Sequence, residues 1–341
     1  MLLIKAREGD LIETVEGLIF DVKGFVHPPD RIVAYLRYME SPHGDRRRGH
    51  KAYVKVYSLN EREEVLRRRY PEYLYYDPVF GDYMQGVPNE RVSRIYIPSK
   101  RVSELFEKSR LDPVEMDAVG FIQILQDLSD VDLEDMGISG SILVGLYTEK
   151  SDIDVIVYGK ENCLSVHAAL EEAMEKRDGP ILKYDLKDLR KLYEFRSKDT
   201  WMPLEEFIRM ERRKFTQGKY RGRDFFIRFL LDWDEVDERY GDRIYIPSGY
   251  ARIKARVVDA SNSIFTPCKY LIDDIEILEG TKAQLLKEIV SFRGRFCEQA
   301  KKGERVIAQG KVEKVVEKDG TEFFRLILGA KPSDFMISKP S

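Results

Sequence analysis

The sequence of 341 residues has few cysteines and no long apolar run. Its three cysteines, Cys163, Cys268 and Cys297, lie far apart and form no Cys-x-x-Cys pair, which argues against a disulfide framework and a thiolate zinc site. No stretch approaches the roughly 20 apolar residues of a membrane span. The first ten residues, MLLIKAREGD, become charged too early for the apolar core of a signal peptide. We therefore expect a cytoplasmic protein with no membrane partner.

The sequence also has almost no net charge. Its 57 lysines and arginines nearly balance 60 aspartates and glutamates, which gives a formal charge of -3. This balance excludes a uniformly basic nucleic-acid binder, although local basic patches remain compatible with it. Charged residues make up 34% of the chain and apolar residues 43%, a composition typical of folded globular domains.

The length is sufficient for two or three domains. Residues 1–110 contain strand-like runs such as Arg31–Tyr38, which predict an N-terminal α+β domain in which the polar segment Pro42–Lys51 is a loop. A clear helix start at Asp112, with a proline and a glutamate at the favourable positions after it, opens a second domain over residues 111–242.

Residues 243–341 form the third predicted domain, a small β-rich, barrel-like unit with one helix that Thr281 and Gln284 would cap. Small barrels of this kind can bind oligonucleotides. The aromatic residues available for base stacking in its hairpin are Phe323 and Phe324, which fit a core position equally well. The predicted fold class is α+β, with a central mixed sheet and helices flanked by the two other domains.

The candidate functional residues lie in two neighbouring stretches, Gly140–Gly145 (GSILVG) and Ser151–Val157 (SDIDVIV). Alternate residues of a strand project from the same face, so Asp152 and Asp154 would present two carboxylates side by side. Two adjacent carboxylates repel each other unless a cation lies between them, and Mg²⁺ is bound by one or two carboxylates together with substrate phosphates. A glycine lets the backbone approach a phosphate closely, and the hydroxyl of Ser141 adds a donor. The two stretches therefore predict a site for Mg²⁺ and a nucleotide.

The alternative for the acidic pair is the solvated face of an ordinary hairpin strand. Apolar residues on both sides of the pair, Ile153 and Val155–Val157, and the preceding Gly-Ser turn favour the functional interpretation.

Gly140-Ser141, an intervening loop and Ser151-Asp152-Ile153-Asp154 resemble the signature of the DNA polymerase β-like nucleotidyltransferase superfamily, and the short spacing is most similar to its minimal archaeal and bacterial members. The resemblance covers residues 113–232. It implies that Gly140 and Ser141 hold the β- and γ-phosphates of a nucleoside triphosphate such as ATP. It also implies that Asp152 and Asp154 bind two Mg²⁺ ions and that a third carboxylate on a neighbouring strand binds the catalytic ion.

Three residues are candidates for the third carboxylate. Asp224 opens the apolar strand that the sequence predicts over residues 224–231, and it is our first choice, although a strand or turn cap is an equally simple role for it. Asp185 and Asp232 are the alternatives. Without a third carboxylate at the site, the chain would bind a nucleotide without transferring it.

Basic residues near the motif are candidate phosphate ligands. Lys150 precedes the acidic pair, and Arg228 lies in the predicted strand, where pairing with Asp224 is the alternative role. Two basic stretches, 46–51 and 209–228, could face a polyanion such as RNA, but acidic residues lie in or beside the second, so a solvated helix is an equal alternative.

The resemblance and the motif together predict a Mg²⁺-dependent transfer of a nucleoside monophosphate from a nucleoside triphosphate to an acceptor hydroxyl, with release of pyrophosphate. The acceptor, whether protein, RNA or a small molecule, and the oligomeric state stay open. The rival from another class is a nucleotidyltransferase-fold binding module that binds nucleotide, RNA or protein without transfer. A toxin–antitoxin role is less natural for a chain with such long flanking regions.

Overall fold

The structure is a computed structural model that describes residues 4–176, 178–200 and 202–339. The chain divides into two compact units. The first consists of Met1–Tyr76, Tyr83–Lys183 and Phe215–Asp237, and the second of Asp77–Asp82, Tyr184–Lys214 and Glu238–Ser341. The first unit thus contains both most of the predicted N-terminal region and most of the predicted central region. The division into three domains at residues 110 and 242 stays a prediction.

The elements of the N-terminal part of the first unit are β1 (Leu11–Thr14), β2 (Ile19–Val22), β3 (Arg31–Glu40), β4 (Arg46–Arg48), β5 (Lys51–Lys55), α1 (Leu59–Arg69), β6 (Leu74–Asp77), β7 (Asp82–Pro88) and β8 (Val92–Tyr96). The strands form an antiparallel sheet in the order β4-β5-β3-β2-β1-β8, with β7 pairing with both β3 and β6. The apolar face of this sheet packs on helix α1 around Leu36 and Leu66.

The loop predicted over Pro42–Lys51 is wrong, because this segment contains β4 and the start of β5, which pair as an antiparallel hairpin. The charged side chains of β4 obtain partners from tertiary structure. The guanidinium of Arg46 is buried and donates to the carbonyl of Leu146 (2.7 Å), and that of Arg48 pairs with Glu13. A run of arginines can therefore form a strand here.

The elements in the rest of the first unit are α2 (Pro98–Glu107), α3 (Pro113–Ser129), β9 (Met136–Ile138), α4 (Gly140–Leu143), β10 (Ile153–Tyr158), α5 (Lys160–Glu175), β11 (Ile181–Leu182), β12 (Gln217–Tyr220) and β13 (Arg223–Leu230). The strands form a five-stranded mixed sheet in the order β11-β12-β13-β10-β9. Strands β10 and β13 are parallel and the other pairs are antiparallel.

The predicted start of helix α3 is confirmed. The Asp112 carboxylate accepts hydrogen bonds from the backbone of Val114 (2.9 Å) and Glu115 (3.0 Å) in a capping box.

The second unit contains a closed barrel. The elements of this unit are α6 (Leu186–Arg196), α7 (Leu204–Glu211), β14 (Arg243–Asp259), β15 (Cys268–Gly280), β16 (Leu286–Ser291), β17 (Arg305–Glu317), β18 (Glu322–Ile327) and β19 (Phe335–Lys339). The strands of the barrel follow the order β14-β15-β16-β18-β17, β17 pairs back with β14, and β19 is added beside β17. Strands β16 and β18 are parallel.

The helix predicted after Thr281 and Gln284 is wrong, because residues 286–291 form β16. Leu285 has a left-handed backbone (φ 64°), which a helix cannot contain, and β16 is paired on both sides, with β15 and with β18. The capping-box spacing is satisfied by the sequence, but strand pairing decides the structure. The mixed α+β architecture agrees with the predicted fold class.

Among the helices of the described residues, none has the length and apolar character needed to cross a lipid bilayer.

Candidate active site

The acidic pair lies at the start of β10, next to the parallel strand β13. Asp154 is in register with Phe226, and Ile156 is in register with Arg228. The neighbours Ile153 and Val155 are fully buried on the opposite face of the sheet. Strand alternation therefore directs Asp152 and Asp154 to the face that also carries Arg228.

A glycine turn lies directly against this pair. Gly140 adopts a left-handed backbone (φ +60°), and a Cβ on it would lie 2.8 Å from Cγ of Asp154. The backbone N–H of Ser139 donates to the carbonyl of Asp154 (2.8 Å), which holds the turn on β10. Ser141 is buried in the first turn of the short helix α4. Only a residue without a side chain fits between the turn and the carboxylate.

The electrostatics of the pair favour a cation. Burial, and then the charge of Asp152, raise the pKa of Asp154 to about 6, while Lys55, Arg228 and Arg37 act in the opposite direction. A raised carboxyl pKa means that the ionised pair is destabilised without a counter-charge. A divalent cation between the carboxylates would remove that penalty, so the donor set fits Mg²⁺.

The pocket beside Asp154 is lined by both sheets of the first unit. The central sheet and its turn contribute Ser139, Gly140, Asp154, Phe226 and Arg228, and the N-terminal sheet contributes Leu11, Asp21, Arg37 and Tyr38. Sequence reasoning missed the N-terminal residues. A signal for one of them was available, since Asp21 is the charged residue of the otherwise apolar strand β2 (IFDV).

Charged side chains at the pocket form a linked network. Glu8 is completely buried and pairs with Arg228 (2.9 Å) and Lys23 (3.0 Å), and it also accepts from the backbone N–H of Gly24 (2.8 Å). Lys23 pairs in turn with Asp21 (2.8 Å). Burial would raise the pKa of Asp21, but the charges of Lys23, Arg228 and Arg37 outweigh it and hold the pKa at about 2. Arg228 is thus held at the pocket by Glu8.

The three candidates for the third carboxylate lie in different places. Asp224 is the second residue of β13 and lies beside the position of Asp152, since Ile153 pairs with Phe225. Its exposed carboxylate lies 3.7 Å from Lys219 Nζ.

Asp232 follows the other end of β13, where it pairs with Arg7 (2.7 Å) and caps a short 3₁₀ turn. Asp185 belongs to the second unit and caps α6 by accepting from the backbone of Asp188 (2.8 Å). In the described part of the chain, no group of three or more His, Cys, Asp or Glu side chains is close enough to hold a metal ion.

The remaining basic candidates do not line the pocket beside Asp154. Lys150 is exposed in the turn before the acidic pair. In the stretch 209–228, Arg213 pairs with Glu304 (2.9 Å) in the second unit, and Arg223 pairs with Asp117 (2.7 Å) in the first. The stretch is therefore divided between two units and partly neutralised by internal ion pairs.

Comparison with known proteins agrees with the motif. The family described as nucleotidyltransferase domain matches residues 118–297, a segment that includes the Gly140 turn and the acidic pair. The chain therefore belongs to the nucleotidyltransferase domain family, as the resemblance to the polymerase β-like superfamily predicted. It is also 33% identical, over 97% of its length and 98% of the relative's, to an uncharacterized protein of Methanocaldococcus jannaschii. No solved structure matches the chain significantly.

Proposed function

We propose that the protein transfers a nucleoside monophosphate from a Mg²⁺-bound nucleoside triphosphate to an acceptor hydroxyl and releases pyrophosphate. One observation carries the proposal: a glycine turn that excludes any side chain lies against a partly buried pair of carboxylates, of which Asp154 has a raised pKa. A site of this kind combines backbone close enough to contact phosphate with carboxylates that favour a divalent cation.

Asp152 and Asp154 would hold the metal, and Asp224 is proposed as the third ligand because it lies near the start of β13 beside Asp152. Bound Mg²⁺ supplies charge neutralisation and orientation of the reacting oxygens. Gly140 and Ser141 would contact the β- and γ-phosphates.

The chemical step requires little covalent participation by the protein. The acceptor oxygen forms a bond to the α-phosphorus as the bond between that phosphorus and the bridging oxygen breaks, and the hydroxyl proton is lost to solvent or a nearby base. Negative charge accumulates on the departing pyrophosphate. Arg228, which Glu8 holds at the pocket, would stabilise that charge without having to reorganise.

A direct test incubates the full-length protein with α-³²P-labelled nucleoside triphosphates, Mg²⁺ and cell extract, and follows label into protein, RNA and small molecules. We expect Asp152→Asn and Asp154→Asn to abolish transfer. The exposed Asp127 of helix α3 provides the matched control, because Asp127→Asn removes the same charge away from the pocket. Full transfer by Asp154→Asn would overturn the proposal.

A second candidate function is nucleotide binding without transfer. It is favoured by the finding that the described residues gather no group of three metal-binding side chains. Binding of labelled nucleotide to the wild-type protein, with label transferred to nothing in the extract, would support this candidate over the first.

A further inference from the structure

Two basic side chains of the N-terminal sheet, Arg37 and Lys55, interact electrostatically with the acidic pair but form no ion pair among the described residues. In the described part of the chain, neither Arg37 nor Lys55 makes a side-chain hydrogen bond or an ion pair, although both approach the ring of Tyr57 (5.7 and 5.2 Å to the centroid). Most other cations near the pocket behave differently, since Lys23, Arg48 and Arg228 each pair with a carboxylate.

A β-bulge accounts for the position of Arg37. Strands β2 and β3 pair Ile19 with Tyr38 but Phe20 with Leu36, so Arg37 is the extra residue at this step. Bulges are common beside active sites because they re-aim a side chain that regular alternation would direct elsewhere. Arg37 lines the same pocket as Gly140 and Asp154.

Lys55 is next to Arg37 because residue 38 of β3 pairs with residue 55 of β5. Burial, and then the charge of Arg37, lower the pKa of Lys55 to about 8, whereas Asp152 and Asp154 act in the opposite direction. Two partly buried cations side by side destabilise each other. An anion bound between Arg37 and Lys55 would relieve this repulsion, whereas Asp152 and Asp154 offset only part of it in the free protein.

We propose that Arg37 and Lys55 bind the phosphates of the nucleoside triphosphate, so that the N-terminal sheet forms one wall of the nucleotide site. The inference rests on the proposed function. An arginine can donate two parallel hydrogen bonds to a phosphate, and a lysine adds a compact positive charge. Both residues lie outside the family match at 118–297, so this wall belongs to the chain's own N-terminal region.

The test is calorimetric titration of the full-length protein with the non-hydrolysable α,β-methylene analogue of ATP in Mg²⁺, and separately with inorganic tripolyphosphate. We expect Arg37→Met and Lys55→Met to raise the Kd for both ligands by about tenfold or more. Lys55→Arg should retain most of the affinity. Arg47→Met is the matched control, because Arg47 is exposed on β4 of the same sheet and does not line the pocket.

The outcomes separate the two proposals. If the wild-type protein binds neither ligand, the proposed function and this inference both fail. If it binds and the Met variants at positions 37 and 55 bind within twofold of the control, the inference alone is overturned. If the Met variants raise the Kd of the ATP analogue but not that of tripolyphosphate, the two cations contact the nucleoside instead of the phosphates. This result would also contradict the inference. Thermal melting of each variant checks that the fold is retained.

Discussion

Gly140 and Asp154 are positioned so closely that a methyl group on the glycine would lie 2.8 Å from the carboxyl carbon of the aspartate. The glycine also has a backbone conformation that residues with side chains rarely adopt (φ +60°). The turn and the carboxylate therefore depend on each other.

Gly140→Ala should remove nucleotide binding and lower the free energy of unfolding by more than left-handed strain alone, which is roughly 1–2 kcal/mol. Gly145→Ala is a matched control, because Gly145 is also left-handed (φ +66°) but, apart from its chain neighbours, the described residues place no atom within 4 Å of its would-be Cβ. Urea denaturation and nucleotide titration measure the two effects. If both variants lose the same free energy of unfolding and the same nucleotide affinity, the contact between Gly140 and Asp154 is unimportant.

Asp154→Asn should make the metal-free protein more stable at neutral pH, by on the order of 2 kcal/mol, although it abolishes activity. Burial and the charge of Asp152 penalise the ionised carboxylate, and the amide is free of that penalty. Mg²⁺ should raise the melting temperature of the wild type more than that of the variant. An equal response to Mg²⁺ in thermal melting would place the metal elsewhere.

Glu8→Gln should lower the free energy of unfolding by about 3 kcal/mol or more, because it leaves Arg228 and Lys23 without their buried partner. Glu40→Gln is the control. Glu40 pairs with Lys51 on the surface, where water and salt screen the ion pair, so its loss should change the free energy of unfolding little. Chemical denaturation measures the free energy of unfolding of both variants. A similar decrease in the two variants would contradict the central role of Glu8.

Asp224→Asn should reduce transfer by on the order of a hundredfold, as expected for a group that stabilises transition-state charge. Asp232→Asn should leave transfer intact, since Asp232 follows the opposite end of β13. Asp185→Ala should also leave it intact while costing about 1 kcal/mol of stability through loss of the α6 cap. Initial rates of pyrophosphate release distinguish the three; a large loss at Asp185 or Asp232 would reassign the third carboxylate.

Nucleotide affinity should be nearly constant between about pH 7 and pH 8, where Asp154 is ionised, and should fall above pH 8 by at most about tenfold per pH unit. The pKa of Lys55 is about 8 in the free protein, so above that pH the phosphates bind only after the amine takes up a proton. Arg37 and Arg46 oppose that protonation, and Asp152 and Asp154 favour it. Titrations across this range should show the decline in the wild type and its absence in Lys55→Arg. A decline that persists in the variant would come from another group.

The sequence predicted the features that depend on short-range pattern. The capping box at Asp112 and the strand β10 follow from residues a few positions apart, and the family follows from the spacing between Gly140 and the acidic pair. It failed where a long-range partner decides the structure. Residues 286–291 became a strand through pairing on both sides. The arginine-rich segment 46–48 became a strand through pairing with β5, and the buried Arg46 guanidinium donates to the carbonyl of Leu146.

By itself the sequence determined the class of the protein and its acidic centre, because a glycine turn and two carboxylates at fixed spacing are local features that few folds share. Only the tertiary structure decided what surrounds that centre. Asp21 and Arg37 reach the pocket through the packing of a second sheet and a bulge in one of its strands, and Arg228 is held there by Glu8. Such placements depend on contacts between residues far apart in the chain, and these contacts leave no periodic signal in the sequence.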